Sequence, residues 1–135
     1  MTPRRIDACR RLSRLEGERR GRAALGVSNR DAALVRDIAM HDAVRLLGLV
    51  PATRAESGYD ARGSGFRYRI AGCGSAELQV VPGAFRSGQW NRGLLVVMSA
   101  ELEPLAIDEL TFEAARATRS VARLRASGRR RWRRE

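Results

Sequence analysis

Residues 94–98, Leu-Leu-Val-Val-Met, form the longest uninterrupted apolar run in the chain, and they constrain the fold more than any other feature. Five residues are far short of the roughly 18 that a membrane helix needs. Set between Gly93 and Ser99, so short a run is expected to be a strand covered on both faces. Such a strand needs a sheet beside it and helices over it, and the flanking sequence supplies candidates for both. Residues 66–71 alternate strictly, with Phe66, Tyr68 and Ile70 on one face and Arg67, Arg69 and Ala71 on the other. Residues 77–81 read as a second strand stopped by Pro82, reached through a tight connection at Gly72, Gly74 and Ser75. Residues 105–107 read as a short further strand. A helix is expected over residues 28–47, with Ser28 and Asp31 as a capping box and Gly48 as its end. Val35, Ile38, Ala39, Ala43 and Leu46 share its apolar face. Asp108 is expected to cap a second helix running to about Arg125, with Leu110, Ala114, Ala117, Val121 and Leu124 inward. The expected fold is α/β, a small central mixed sheet flanked by helices over residues 27–125. A basic extension (1–26) precedes it and an arginine-rich tail (126–135) follows. Residues 94–98 should be the most buried strand, and residues 1–20 and 127–135 should be poorly packed.

At 135 residues and 44% hydrophobic composition, the chain can bury one core, filled by aliphatic residues because aromatics are only 5%. All 26 basic residues are arginine, and there is no lysine. The bias fits a GC-rich genome, so the distribution of arginine says more than its number. Residues 1–22 carry +5, residues 23–58 carry 0, residues 59–115 carry −2, and residues 116–135 carry +8. The middle is near neutral and the ends are basic. Charged ends of this kind bind polyanions or remain solvated. Arginine forks match phosphate geometry, which makes nucleic acid the expected polyanion, DNA ahead of RNA. The opening arginines, with no apolar stretch behind them, give the cytoplasm as the expected location and no membrane partner. Cys9 and Cys73 are lone thiols without zinc spacing, and His41 lies on a polar stripe with Asp37 and Arg45.

Gly58-Tyr59-Asp60-Ala61, then Arg67-Tyr68-Arg69-Ile70-Ala71-Gly72, the apolar strand, and Glu103-Pro104-Leu105-Ala106-Ile107 form a recognisable series. It resembles a bacterial domain family of uncharacterised function whose members read G-Y-D-A and then R-Y-Q-I-K-G-R. That family in turn resembles the PD-(D/E)XK restriction-endonuclease-like superfamily. The likeness spans roughly residues 28–118. It implies a site in which an aspartate and a second acid hold Mg²⁺ through oxygen, with a lysine two residues beyond on the same strand face. Asp60 matches the first position. Arg69 stands where the family has glutamine or an acid, and Ala71 stands where it has lysine. Arg69 repels a cation, and Ala71 offers neither charge nor hydrogen bond.

The expectation is therefore a catalytically inactive nuclease-like domain with a vestigial Asp60 and no cofactor. Arg67 and Arg69 would contact phosphate at the old cleft, and Arg129, Arg130, Arg131, Arg133 and Arg134 would add electrostatic grip. Trp132 among them is compatible with stacking on bases. Asp60 is expected to pair with Arg69 or another arginine. Two rivals stay open. One is an active Mg²⁺-dependent nuclease with a relocated site using Asp42, Asp60 and Glu77 or Gln79. The other is an accessory domain that binds a protein partner. Oligomeric state is not readable from the sequence.

Overall fold

Side-chain parity along the central strands sets the layering. The structure, a computed structural model, describes residues 3–7, 32–53, 58–75 and 83–135. Helix α1 (Ala32–Leu47) leads into strand β1 (Val50–Pro51), and β2 (Ala61–Gly63) turns into β3 (Phe66–Gly74). A 3₁₀ turn (Gly83–Arg86) precedes β4 (Arg92–Met98), which is followed by β5 (Pro104–Thr111). Two short helices, α2 (Phe112–Ala117) and α3 (Val121–Ser127), then lead to β6 (Arg129–Arg133). The six strands lie side by side in chain order. All pair antiparallel except β3 and β4, which run parallel from Tyr68↔Arg92 to Gly74↔Met98. The sheet is thus mixed, as expected.

On β4, Leu94, Val96 and Met98 face α1 and join Val35, Ile38, Ala39, Tyr68 and Ile70. Leu95 and Val97 face the other way and join Phe85, Trp90, Leu110, Ala115, Val121 and Leu124. Every residue from Gly93 to Met98 is buried, so this strand has helices over both faces as the apolar run required. α1 comes close to the sheet over Gly72, where an added Cβ would fall 2.6 Å from Met98 Cε and 3.0 Å from Val35 Cγ1. A larger residue there would lift the helix. Asp42 sits on the inward face of α1 and is fully buried, with Arg45 Nη2 3.6 Å from its Oδ1.

Three expectations change. The single helix from Asp108 to Arg125 is instead the end of β5, two short helices and a break. Leu110 and Val121 have helical spacing, but Asp108 pairs with Leu95 in the β4–β5 ladder and the true N-cap is Thr111, whose Oγ1 accepts from Ala114 N–H. The loosely packed segment 127–135 is instead an edge strand, with Trp132 half-buried against the α1 core. At the other terminus, residues 3–7 are helical and Ile6 is completely buried in that same core. The strand expected at 77–81 lies outside the described residues.

Candidate functional site

β2 ends early, so the outer edge of β3 runs past it, and Asp60 closes the gap. Its backbone N–H donates to Tyr68 O (2.8 Å), and its Oδ2 accepts from Ile70 N–H (2.8 Å). The carboxylate thus extends the ladder one step beyond β2. Its other oxygen, Oδ1, receives Arg36 Nη2 at 2.8 Å from α1 and has Arg69 Nη1 at 3.7 Å from β3. Arg69 is fixed further by donating from Nε to Ala84 O at 2.9 Å. Asp60 is 8% exposed, so water screens these partners little. One carboxylate therefore meets two guanidinium groups and a backbone N–H, and the cluster carries a net +1. The expected pairing with Arg69 is present. Arg36 is the closer partner and was not anticipated, because nothing in a surface-facing position of α1 signals a contact 24 residues away.

The glycine of the Gly-Tyr-Asp-Ala series has a local reason. Gly58 has φ 84°, and its carbonyl accepts from Gln89 N–H at 2.8 Å. A Cβ there would stand 2.6 Å from Gln89 N. Gly58 thereby docks the Asp60 loop onto the segment before β4, and Tyr59 beside it packs on the second core. Arg67 is exposed, with its guanidinium carbon 6.0 Å from the Tyr59 ring centre. Ala71, in the position where the resemblance implies lysine, is buried among Leu95, Val97 and Phe85.

Of the ligands that the rival relocated metal site would use, Asp42 lies inside the α1 core and Asp60 is held by arginines, while Glu77 and Gln79 fall outside the described residues. Among the described residues no group of three His, Cys, Asp or Glu side chains converges on a common point for a metal. No helix among them is long and apolar enough to cross a membrane. No known family model matches the chain. No curated protein is detectably similar to it either. The reading of the site therefore rests on its own geometry.

The arginines of the C-terminal segment divide into two sets. Arg130 Nε donates to Asp108 Oδ1 (2.5 Å), and Arg125 Nε lies 3.7 Å from Asp108 Oδ2. Arg131 Nη1 donates to Glu109 Oε1 (2.6 Å), which also accepts from Tyr68 OH (3.0 Å). Arg131 is the extra residue at a bulge, between Trp132 opposite Ile107 and Arg130 opposite Asp108. These three arginines are structural. Arg129, Arg133 and Arg134 are exposed and have no carboxylate partner among the described residues. Asp108, expected as a helix cap, and its neighbour Glu109 are strand residues that bind β6 to the sheet. Trp132 packs on the α1 core, which removes it from an exposed stacking role.

Proposed function

We propose that this chain is a nuclease-like α/β domain that binds nucleic acid through arginine and does not cleave it by a metal-dependent route. The observation that carries the reading is the state of Asp60, whose outward oxygen is occupied by Arg36 and Arg69. Hydrated Mg²⁺ binds reluctantly through one carboxylate, and two fixed guanidinium groups compete with it for the same oxygen. The same cluster has one more positive than negative charge, which favours a phosphate. Exposed Arg67 stands two residues from Arg69 on β3, and exposed Arg129, Arg133 and Arg134 place further positive charge on and just after β6, at the opposite edge of the sheet.

The test is twofold. Duplex and single-stranded oligonucleotides are titrated at several salt concentrations, and the same substrates are incubated with Mg²⁺ or Mn²⁺. Salt-sensitive binding without cleavage is the expected result. Metal-dependent cleavage that disappears in Asp60→Ala, with the fold intact by circular dichroism, would favour the relocated nuclease. Absence of binding at low salt would favour an accessory domain with a protein partner.

A further inference from the structure

Helix α1 is apolar on both sides. Val35 and Val44 are nine residues apart, which at 100° per residue puts them on opposite faces of the helix. Val35 is buried in the α1 core, whereas Val44 is half-buried, and so is Met40 one turn before it. A helix with one covered face ordinarily carries polar residues on the other. Here Met40 and Val44 lie instead in an open groove of about 370 Å³, whose other lining residues are Asp37, His41, Arg45 and Pro51. Val50, next to Pro51, is 49% exposed and is the one large apolar residue exposed among the described residues. Both belong to β1, the edge of the sheet. Pro51 has no N–H to offer a further strand, so whatever covers this corner docks through side chains.

The polar residues of the groove are spaced for one kind of occupant. Asp37, His41 and Arg45 follow at four-residue intervals along α1, a stripe about 12 Å long with an acid at one end and a base at the other. Its two ends are too far apart to pair with each other. Asp37 is exposed and has no ion-pair partner among the described residues. Arg45 has Asp42 at 3.6 Å on its inner side, but its side chain is 54% exposed, which leaves donors of its fork open to a second carboxylate. Such a stripe is complementary to itself reversed. A second copy of α1, antiparallel about a two-fold axis at His41, sets each Asp37 against Arg45 of the other copy and brings the two Met40–Val44 surfaces into one seam. A parallel copy would set like charges together. The charges of the groove cancel, so it does not select a phosphate, and an open groove does not enclose a small ligand.

We propose that the outer face of α1 is the interface of a symmetric homodimer, with Asp37 and Arg45 of each copy paired across a two-fold axis at His41 and Met40 and Val44 in the seam. The assignment does not rest on the nucleic-acid reading above. The experiment is sedimentation equilibrium of the full chain, without nucleic acid, over a series of protein concentrations. One helix and one strand corner a side make a small interface, so a reversible monomer–dimer equilibrium is expected and not a permanent dimer. Asp37→Arg sets arginine against arginine at both ends of the seam and should weaken dimerisation by on the order of tenfold, since symmetry doubles the change. Adding Arg45→Glu to Asp37→Arg should restore it. Arg45 also neighbours buried Asp42, so a second measurement leaves it in place. His41→Cys puts a thiol at the axis, and mild oxidation should link two copies there, which Asp37→Arg should suppress. A chain that stays monomeric, a dimer that Asp37→Arg leaves unchanged, or a dimer that His41→Cys does not link would overturn the assignment.

Discussion

At the scale of single residues, Asp60 does two separable things. Its Oδ2 takes the place of a strand carbonyl for Ile70 N–H, and its Oδ1 holds Arg36 and Arg69. Asp60→Ala leaves the Ile70 N–H without its acceptor and should cost about 1–3 kcal/mol in denaturant unfolding. Asp60→Asn keeps an acceptor and should cost less, while both variants should hold nucleic-acid affinity or raise it slightly by removing a negative charge. Equal losses for the two would mean that charge, and not the strand hydrogen bond, is what Asp60 contributes. Tyr68 allows a second residue-scale prediction. Its phenol is pushed above the ordinary value of 10.0, first by burial, with Glu109 adding to the rise and Arg131 opposing it. A raised folded value means that stability is complete below pH 10 and falls as pH climbs towards the folded value, because the unfolded chain ionises first. Tyr68→Phe should cost about 1–2 kcal/mol at neutral pH, and its stability should decline less steeply above pH 10, as followed by urea unfolding across alkaline buffers. The same residues show what is legible one position at a time. Asp60 stood out because its motif is local. Arg36 did not, because its contact depends on how α1 crosses the sheet.

At the scale of elements, β4 was readable because a doubly covered strand has no polar face to confuse its period. The end of α1 at Leu47, before Gly48, and the alternation of β3 were readable for the same kind of reason, a strong pattern over several turns or repeats, while the capping box expected at Ser28 and Asp31 lies outside the described residues. The stretch from Asp108 onward was not. Leu110, Ala114, Ala117, Val121 and Leu124 repeat at helical spacing, yet β5 pairs through Thr111, and α2 and α3 are separated at Thr118–Ser120. Long-range pairing with β4 outweighed local periodicity there. β6 was read as tail because four of its five residues are arginine. What makes it a strand is compensation from β5, where Asp108 and Glu109 neutralise Arg130 and Arg131. Removing residues 127–135 would therefore leave Asp108, 1% exposed, without Arg130, and uncover the core under Trp132. That truncation should lower the thermal midpoint markedly or prevent folding. A truncated chain that melts like the full one would mean that β6 contributes nothing to the sheet.

At the scale of the whole molecule, the net charge of +11 is only partly available to a ligand. Arg36 and Arg69 face Asp60, Arg125 and Arg130 face Asp108, and Arg131 faces Glu109. Counting charges along the chain placed the positive excess at its ends but could not tell which arginines of the C-terminal end are spoken for, since the partners of Arg125, Arg130 and Arg131 lie back on β5. The exposed set in the C-terminal segment is Arg129, Arg133 and Arg134. A variant with all three changed to glutamine keeps Arg130, Arg131 and Trp132, so β6 should stay paired and the thermal midpoint should move little. Each phosphate contact on duplex DNA contributes about 0.9 to the slope of log affinity against log salt. If the three arginines each neutralise one phosphate, the variant's slope should be shallower by up to about 2.7, with affinity correspondingly lower at low salt. Binding isotherms at four or more salt concentrations measure it. An unchanged slope, with binding and fold intact, would place the phosphate contacts elsewhere and leave the β2–β3 hairpin and the Asp60 cluster to carry them.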